Sequence, residues 1–247
     1  MHTPSIMKQR LDTLLVERGL YPSREKAQRA LMAGLVTVNS QPATKPGTLV
    51  PIDVPIEIAA PEKYVGRGGL KLEAALDTFA INPEGRVCLD VGASTGGFTD
   101  CLLQRGAARV HAIDVGHNQL DWKIRDDKRV VVKEGLNARH LTYDDLGEYV
   151  SLCVADVSFI SITLILPAVF PLLTPEADVV VLIKPQFELS AAEVGRGGVV
   201  RDTASRERAR ERIYQFAEAN GWQWCGCIDS PIAGREGNIE YLAHLKK

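Results

Sequence analysis

Five cysteines in 247 residues, Cys88, Cys101, Cys153, Cys225 and Cys227, are odd in number and follow no regular spacing. That excludes a disulfide framework and points to a reducing compartment in which the thiols behave as small buried apolar groups. Cys225 and Cys227 have no second Cys or His pair at ligand spacing, so neither a structural zinc nor any other metal is expected. No apolar run reaches the length of a membrane span, and residues 1–6 lack the basic-then-apolar order of a secretory signal. The sequence reads as that of a cytoplasmic protein, with Met1 to Ile6 a tail and Met7 an alternative start. Nor does one sign of charge prevail: 29 Lys and Arg stand against 31 Asp and Glu. Whole-chain charge thus gives no sign of a nucleic-acid partner. The distribution says more, because residues 1–70 hold nine basic against six acidic side chains and the remainder twenty against twenty-five. A modestly basic head precedes an acidic body. With 45% hydrophobic residues the chain is long and apolar enough for one small and one mid-sized folded domain.

The head opens with Leu11, Leu14 and Leu15 at helical spacing, stopping at Gly19; Ser23 then caps a second helix carrying Ala27, Ala30 and Leu31 and ending at Gly34. Val36 to Val38 reads as a strand, Asn39 starts a turn, and residues 52–58 alternate as another short strand kept at an edge by Pro51 and Pro55. The second helix presents Arg24, Lys26 and Arg29, with Lys8 and Arg10 upstream. Such side chains bind phosphate, but any solvated helix face looks the same.

The order of residues is more specific than their charge. Arg10-Leu11-Asp12, Gly19, Ser23-Arg24, Ala27, Gly34 to Asn39 and Lys45-Pro46 resemble the S4 RNA-binding domain over residues 8–60. The resemblance implies a small α+β module that docks on structured RNA, after a tail over 1–7. Residues 61–69, Pro-Glu-Lys-Tyr-Val-Gly-Arg-Gly-Gly, read as a linker to a helix over 70–79.

From Val87 the rhythm changes. Apolar strands at 87–91, 109–113, 130–132, 152–154 and 178–183 alternate with helical segments near 98–105, 160–173 and 203–219, the pattern of a doubly wound, mainly parallel sheet. Strands near 222–228 and 239–245 have no room for a crossover helix between them and should pair antiparallel. The fold class is α/β with a seven-stranded sheet, residues 70–247 forming one domain.

The first of these strands runs into Asp90-Val91-Gly92-Ala93-Ser94-Thr95-Gly96-Gly97-Phe98-Thr99, a glycine-rich strand-to-helix turn of the kind that holds a nucleotide-like ligand. Ser94 stands where a pyrophosphate would need glycine for close approach. Asp114, closing the second strand, can accept both ribose hydroxyls, or is a solvated strand end. Asp90 can meet the ammonium of a methionine moiety, a cation that no dinucleotide carries. Gly92, Ser94 to Phe98, Asp114 and Asp90 are therefore expected to hold S-adenosyl-L-methionine rather than NAD.

Asp156 and Lys184 each follow an apolar strand at the edge where ligands gather in such sheets. A lysine so placed is partly desolvated while a nearby carboxylate opposes the effect; it can orient a ribose hydroxyl and help remove its proton, or it can be half of a structural ion pair. Glu240 starts the final antiparallel strand at that edge and Lys71 opens the helix after the linker. Singly, both read as surface charges.

Together, Lys71 in Gly-Gly-Leu-Lys-Leu, Asp156 in Ala-Asp-Val-Ser-Phe-Ile-Ser, Lys184 in Lys-Pro-Gln-Phe-Glu and Glu240 in Gly-Asn-Ile-Glu-Tyr resemble the Lys-Asp-Lys-Glu tetrad of FtsJ-type ribose 2′-O-methyltransferases. With the S4 head, residues 8–247 resemble the TlyA, or hemolysin A, family of ribosomal RNA methyltransferases. The resemblance implies a Rossmann-like methyltransferase that acts on a cytidine ribose in ribosomal RNA or ribosomal subunits; no obligate protein partner and no membrane are inferred. Lys184 would activate the hydroxyl, Asp156 would also face the cofactor and, with Glu240, arrange charge, and Lys71 would support the site. Arg67, Arg196 and Arg201, in glycine-rich segments, are further candidates for RNA contact, although a mobile loop would look alike. Competing readings are a catalytically silent RNA-binding protein, an NAD-linked oxidoreductase and a membrane-active hemolysin. The last needs an amphipathic or spanning segment, whereas helix 203–219 is charged and built around Ala209, Ile213 and Phe216.

Overall fold

Apolar periodicity and Gly/Pro punctuation divide the chain into two units, residues 1–62 and 63–247, in a computed structural model that describes residues 7–59, 62–195 and 197–247. In the first unit β1 (Lys8–Arg10) runs directly into α1 (Leu11–Glu17), and the Ser23 hydroxyl caps α2 (Arg24–Met32) by accepting from Lys26 N. β2 (Val36–Val38), β3 (Gln41–Pro42), β4 (Leu49–Pro51) and β5 (Ile56–Ile58) follow. β1 pairs with β4, and β3-β2-β5 form a small antiparallel sheet. Leu11, Leu14, Leu15, Ala27, Ala30, Leu31, Val36, Val50 and Val54 close its core. Of the strand expected over 52–58 only Ile56–Ile58 forms, as β5; residues 52–55 connect it to β4 through a turn. Neither Pro51 nor Pro55 has an N–H to give a ladder, and the carbonyls of Ile52 and Val54 accept instead from Arg18, at 2.5 and 2.7 Å.

The second unit begins with α3 (Gly68–Thr78) and then alternates β6 (Val87–Val91), α4 (Gly97–Gln104), β7 (Arg109–Asp114), α5 (Trp122–Arg125), β8 (Val130–Glu134), α6 (Tyr143–Leu146) and β9 (Val150–Ala155). α7 (Leu166–Val169), β10 (Leu173–Ile183), α8 (Pro185–Glu188), α9 (Thr203–Ala219), β11 (Gln223–Asp229) and β12 (Tyr241–Lys246) complete it. The seven strands lie in the order β11-β12-β10-β9-β6-β7-β8, with β12 antiparallel to both neighbours and the other pairings parallel. The central strands are apolar on both faces because both are covered. Val179, Val181 and Ile183 join one core layer with Ile213 and Ala217 of α9, while Val180 and Leu182 join the other with Leu72 and Leu76 of α3 and Leu102 of α4.

Three expectations change here. The helix foreseen over 160–173 is broken into a 3-10 turn at Ile162–Leu164, α7, and a 3-10 turn at Phe170–Leu172. Pro167 and Pro171 lack the N–H groups a continuous helix needs and sit at the starts of short segments instead. The segment expected as a linker packs from Lys63 onward as part of the second unit: Tyr64 is buried, Val65 N donates to Asp100 Oδ2 at 2.9 Å, and Gly68 and Gly69 open α3. Cys88, Cys101 and Cys153 are buried, but Cys225 is exposed and Cys227 half-buried because β11 is an edge strand. Among the described residues no helix is long and apolar enough to cross a membrane.

Leu152, fully buried in β9 at the centre of the sheet, tests the packing. Leu152→Ala should cost about 2–5 kcal/mol, read as a lower denaturant midpoint for the second unit with an unchanged slope.

Candidate active site

The parallel strands deliver their last residues to one edge of the sheet, and the antiparallel β12 delivers its first. Ile183 of β10 pairs with Tyr241 of β12, so the next residue outward on each strand, Lys184 and Glu240, falls at the end of the same ladder. Glu240 is not in β12 but one residue before it. Lys71, from the first turn of α3, forms a buried ion pair with Glu240 Oε2. Lys184 Nζ lies 2.5 Å from Asp156 Oδ1, off the angle of a hydrogen bond, and donates to Ser158 Oγ at 2.9 Å. The four residues thus meet as two ion pairs rather than as surface charges; Lys71 and Lys184 are each only 8% exposed and Glu240 3%. Gly234 packs so closely on the Glu240 carboxylate that a Cβ there would collide with it.

Glu188, at the end of α8, links the loops that carry Asp156 and Lys184. Its carboxylate accepts from Ser161 Oγ at 2.5 Å and from Ile162 N at 2.9 Å, and burial raises its pKa against those bonds. Phe159 is 89% exposed at φ +65°, its ring 5.2 Å from that of Phe187, which itself lies under Lys184 Nζ. A large apolar side chain held out in solvent beside a buried lysine suits contact with a flat ligand.

Two cavities meet at this edge. One, of about 490 Å³, is lined by Gly92, Ser94, Asp114, Val115, Asn137, Ala138, Arg139, Asp156 and Phe159 among others. The other, of about 430 Å³, is lined by Arg67, Gly68, Lys71, Gly92, Ser94, Thr95, Gly97, Phe98, Asp156 and the stretch Ile232 to Gly234. Gly92, Ser94 and Asp156 belong to both. Gly92, at φ +84°, cannot carry a side chain because a Cβ would run into the Asp156 carbonyl. Asp114 accepts from Ser94 N at 2.8 Å and from Gly116 N at 2.7 Å, one bond per oxygen, so each retains a lone pair toward the larger cavity. Of the residues expected at the cofactor, Gly92, Ser94, Thr95, Gly97, Phe98, Asp114 and Asp156 line these walls, while Gly96 caps α4 behind them at φ +97°.

Asp90 is the correction. It is fully buried and lines neither cavity; its Oδ2 accepts from Thr99 Oγ1 at 2.6 Å, so it supports the turn from behind, while its Oδ1 has no protein partner among the described residues. Burial pushes its pKa up to about 7, the Thr99 bond opposing and the Asp156 charge adding to the rise. Sequence reasoning missed Val115, Asn137, Ser158, Phe159 and Glu188. Asn137 and Ser158 follow the β8 and β9 strand ends, so reading every parallel strand end, not only those closing on a charge, would have found them.

The described architecture agrees with known proteins. Residues 64–247 match the model for the FtsJ-like methyltransferases and residues 9–54 the S4 domain. The 16S/23S rRNA (cytidine-2'-O)-methyltransferase TlyA of Mycobacterium tuberculosis is 46% identical over 239 residues, covering 96% of this chain and 89% of its own. Hemolysin A of Brachyspira hyodysenteriae is 45% identical over 237 residues, covering 96% and 99%. A solved structure of a Streptococcus thermophilus protein, named as a candidate hemolysin, superposes with a TM-score of 0.75 at 44% identity over 98% of this chain and 90% of its own. The chain belongs to the TlyA/hemolysin A family of FtsJ-like methyltransferases. As a family member it is an S-adenosylmethionine-dependent methyltransferase, and the residues present fit that cofactor: a carboxylate at the ribose position, two joined cavities, and an acidic Asp156 between them for a sulfonium.

Asp90 carries a pH test. It holds its proton more tightly folded than unfolded, so its stabilising contribution is whole below its ordinary value of 3.8 and is lost as pH rises through about 7. The Asp90→Asn variant, which cannot ionise, should therefore lose less thermal stability than the parent between about pH 5 and about pH 8; parallel melting curves across that window would show that Asp90 is not the buried acid described here.

Proposed function

We propose that this chain transfers the methyl group of S-adenosylmethionine to the 2′-hydroxyl of a cytidine ribose in ribosomal RNA, in the cytoplasm. The observation that carries the reading is Lys184: a buried ammonium that donates to Ser158 and is paired with Asp156, the carboxylate that lines both cavities, with exposed aromatic surface beside it. The FtsJ-like family and the activity named for the tuberculosis relative support the same assignment.

In this reading the larger cavity takes the adenosine, with Asp114 accepting from the ribose and Asn137 and Val115 beside the base. The smaller one takes the methionine arm, where Arg67 matches its carboxylate better than it matches RNA. S-adenosylmethionine, when bound, supplies an electrophilic methyl on a positively charged sulfur. Asp156 orients Lys184 and offsets that positive charge. Lys184, as an ammonium, donates through Nζ to the acceptor oxygen and fixes it in line; as that oxygen bonds the methyl and the carbon–sulfur bond breaks, the hydroxyl proton passes to the Asp156 carboxylate and on to water. Lys71 and Glu240 neutralise each other and keep the floor of the site rigid. Phe159 and Phe187 stack the base of a nucleotide turned out of its helix.

The basic residues divide. Lys8, Lys26 and Arg201 are exposed and unpaired among the described residues, and we assign them to phosphate contact. Arg29 shares its charge with Glu25, and Arg10 and Arg24 are tethered to Asp12. Arg196 lies outside the described residues.

Incubation with radiolabelled S-adenosylmethionine and purified ribosomal RNA or subunits should place label on a cytidine 2′-oxygen; label on a base, or none despite cofactor binding, would end the proposal. Lys184→Ala should lower transfer by about 10²–10⁴-fold while calorimetric cofactor affinity stays within a few-fold, and a variant that still transfers would remove Lys184 from the chemistry.

A further inference from the structure

Asp12 is a charged side chain with no exposed surface, set in the first turn of α1 of the RNA-binding unit. Its Oδ1 accepts from Arg10 Nε at 3.1 Å. Its Oδ2 accepts from Arg10 Nη2 at 3.1 Å, Arg24 Nε at 2.8 Å and Gln28 Nε2 at 2.7 Å. Burial works to raise its pKa, but the bonds from Arg10, Gln28 and Arg24 hold it well below the usual carboxylate range. Both arginines grip this carboxylate by the Nε edge. Arg10 Nη1 and both Nη atoms of Arg24 are left without a protein partner among the described residues, and the two side chains stay 46% and 54% exposed. Gly47 lacks the Cβ that would stand 3.2 Å from Arg10 Nη1.

An anion beneath two cations is a poor way to attract a polyanion, since it leaves one net positive charge where two arginines alone would leave two. What it provides is geometry. Arginine loses much rotamer freedom when it binds, and here that freedom is already lost before any ligand arrives. The other arginines of the unit are arranged differently: Arg18 spends its fork on the carbonyls of Ile52 and Val54, and Arg29 pairs with exposed Glu25.

We propose that Asp12 is a positioning residue for RNA recognition, holding Arg10 and Arg24 as one rigid pair that engages backbone phosphates brought together by folded RNA. The inference rests on the proposed RNA-binding role of this unit. It requires that shape selectivity be gained at the expense of non-specific attraction, and the two effects have opposite signs on removal of the charge.

The test uses the full chain, with a folded ribosomal RNA fragment and single-stranded poly(U) as probes, binding measured across a salt series. Asp12→Asn should weaken binding to the folded RNA about tenfold or more, while poly(U) binding stays level or tightens and S-adenosylmethionine binding is unchanged. If the variant binds folded RNA as well as or better than the parent, Asp12 acts only through its charge and the proposal is overturned. Should Asp12→Asn unfold the first unit, the double variant Arg10→Lys, Arg24→Lys decides. It keeps both charges but loses the Nε grip, so a matching loss on folded RNA supports the pairing and a retained affinity overturns it. A parent that does not prefer folded RNA to poly(U) would instead remove the RNA-binding reading on which the inference stands.

Discussion

Three buried charges and a half-buried carboxylate at one edge of a sheet are tolerable only if each meets its opposite, and the ladder between β10 and β12 is what brings that about. With Ile183 opposite Tyr241, Lys184 and Glu240 emerge together; Asp156 at the end of β9 answers the first, and Lys71 of α3 answers the second. Removing one member of such a pair leaves an unneutralised charge in a poorly solvated place, at a cost of about 3–5 kcal/mol. Much of the surrounding structure follows from this requirement. α3 must begin against the sheet edge for Lys71 to reach Glu240, so the glycine-rich residues before it pack down instead of hanging free. The stretch around Gly234 must come close without a side chain. Glu188 must hold the 156–162 loop to α8 so that Asp156 and Lys184 remain a pair.

The same economy governs the turn after β6. Ser94 is held at φ +48°, a conformation that a side-chain-bearing residue rarely adopts, and its N–H is bonded by Asp114 from the neighbouring strand. The carboxylate suited to a cofactor ribose is therefore also the group that locks the shape of the loop next to it. Asp90 works on that loop from the other side, through Thr99 at the first turns of α4. Support of this loop is thus divided between Asp114 in front and Asp90 behind.

How far the sequence was legible depended on the range of the interaction. The strands of the sheet and α9 announced themselves because their apolar spacing is local; Thr203–Ala219 falls where periodicity put it. Segment 160–173 misled because its apolar content is right for a helix while Pro167 and Pro171 forbid a continuous one. Asp90 misled because a carboxylate at a strand end looks identical whether it faces a ligand or the interior. The Lys71–Glu240 pair, 169 positions apart, has no local signature; strand direction could place both residues near one sheet edge, and only the resemblance to a known tetrad gave them a shared role. Asn137, Val115 and Phe159 escaped because the walls of a cofactor cavity are mostly apolar or amide groups, which carry no charge to attract notice.

The two units solve opposite electrostatic problems with the same materials. At the sheet edge acids and bases are matched one to one, and the residues after position 70 carry more acids than bases. That surface has little general attraction for a phosphate backbone. In the first unit a single acid serves two arginines, leaving net positive charge at the surface in a fixed arrangement. In the proposed reading most of the affinity for RNA resides in the small unit, and the catalytic unit, Arg201 apart, is spared from holding RNA by charge. Its buried lysine can then stay committed to Asp156 until an acceptor hydroxyl arrives, since a lysine exposed enough to bind phosphates would be too well solvated, and too mobile, to hold that hydroxyl in line.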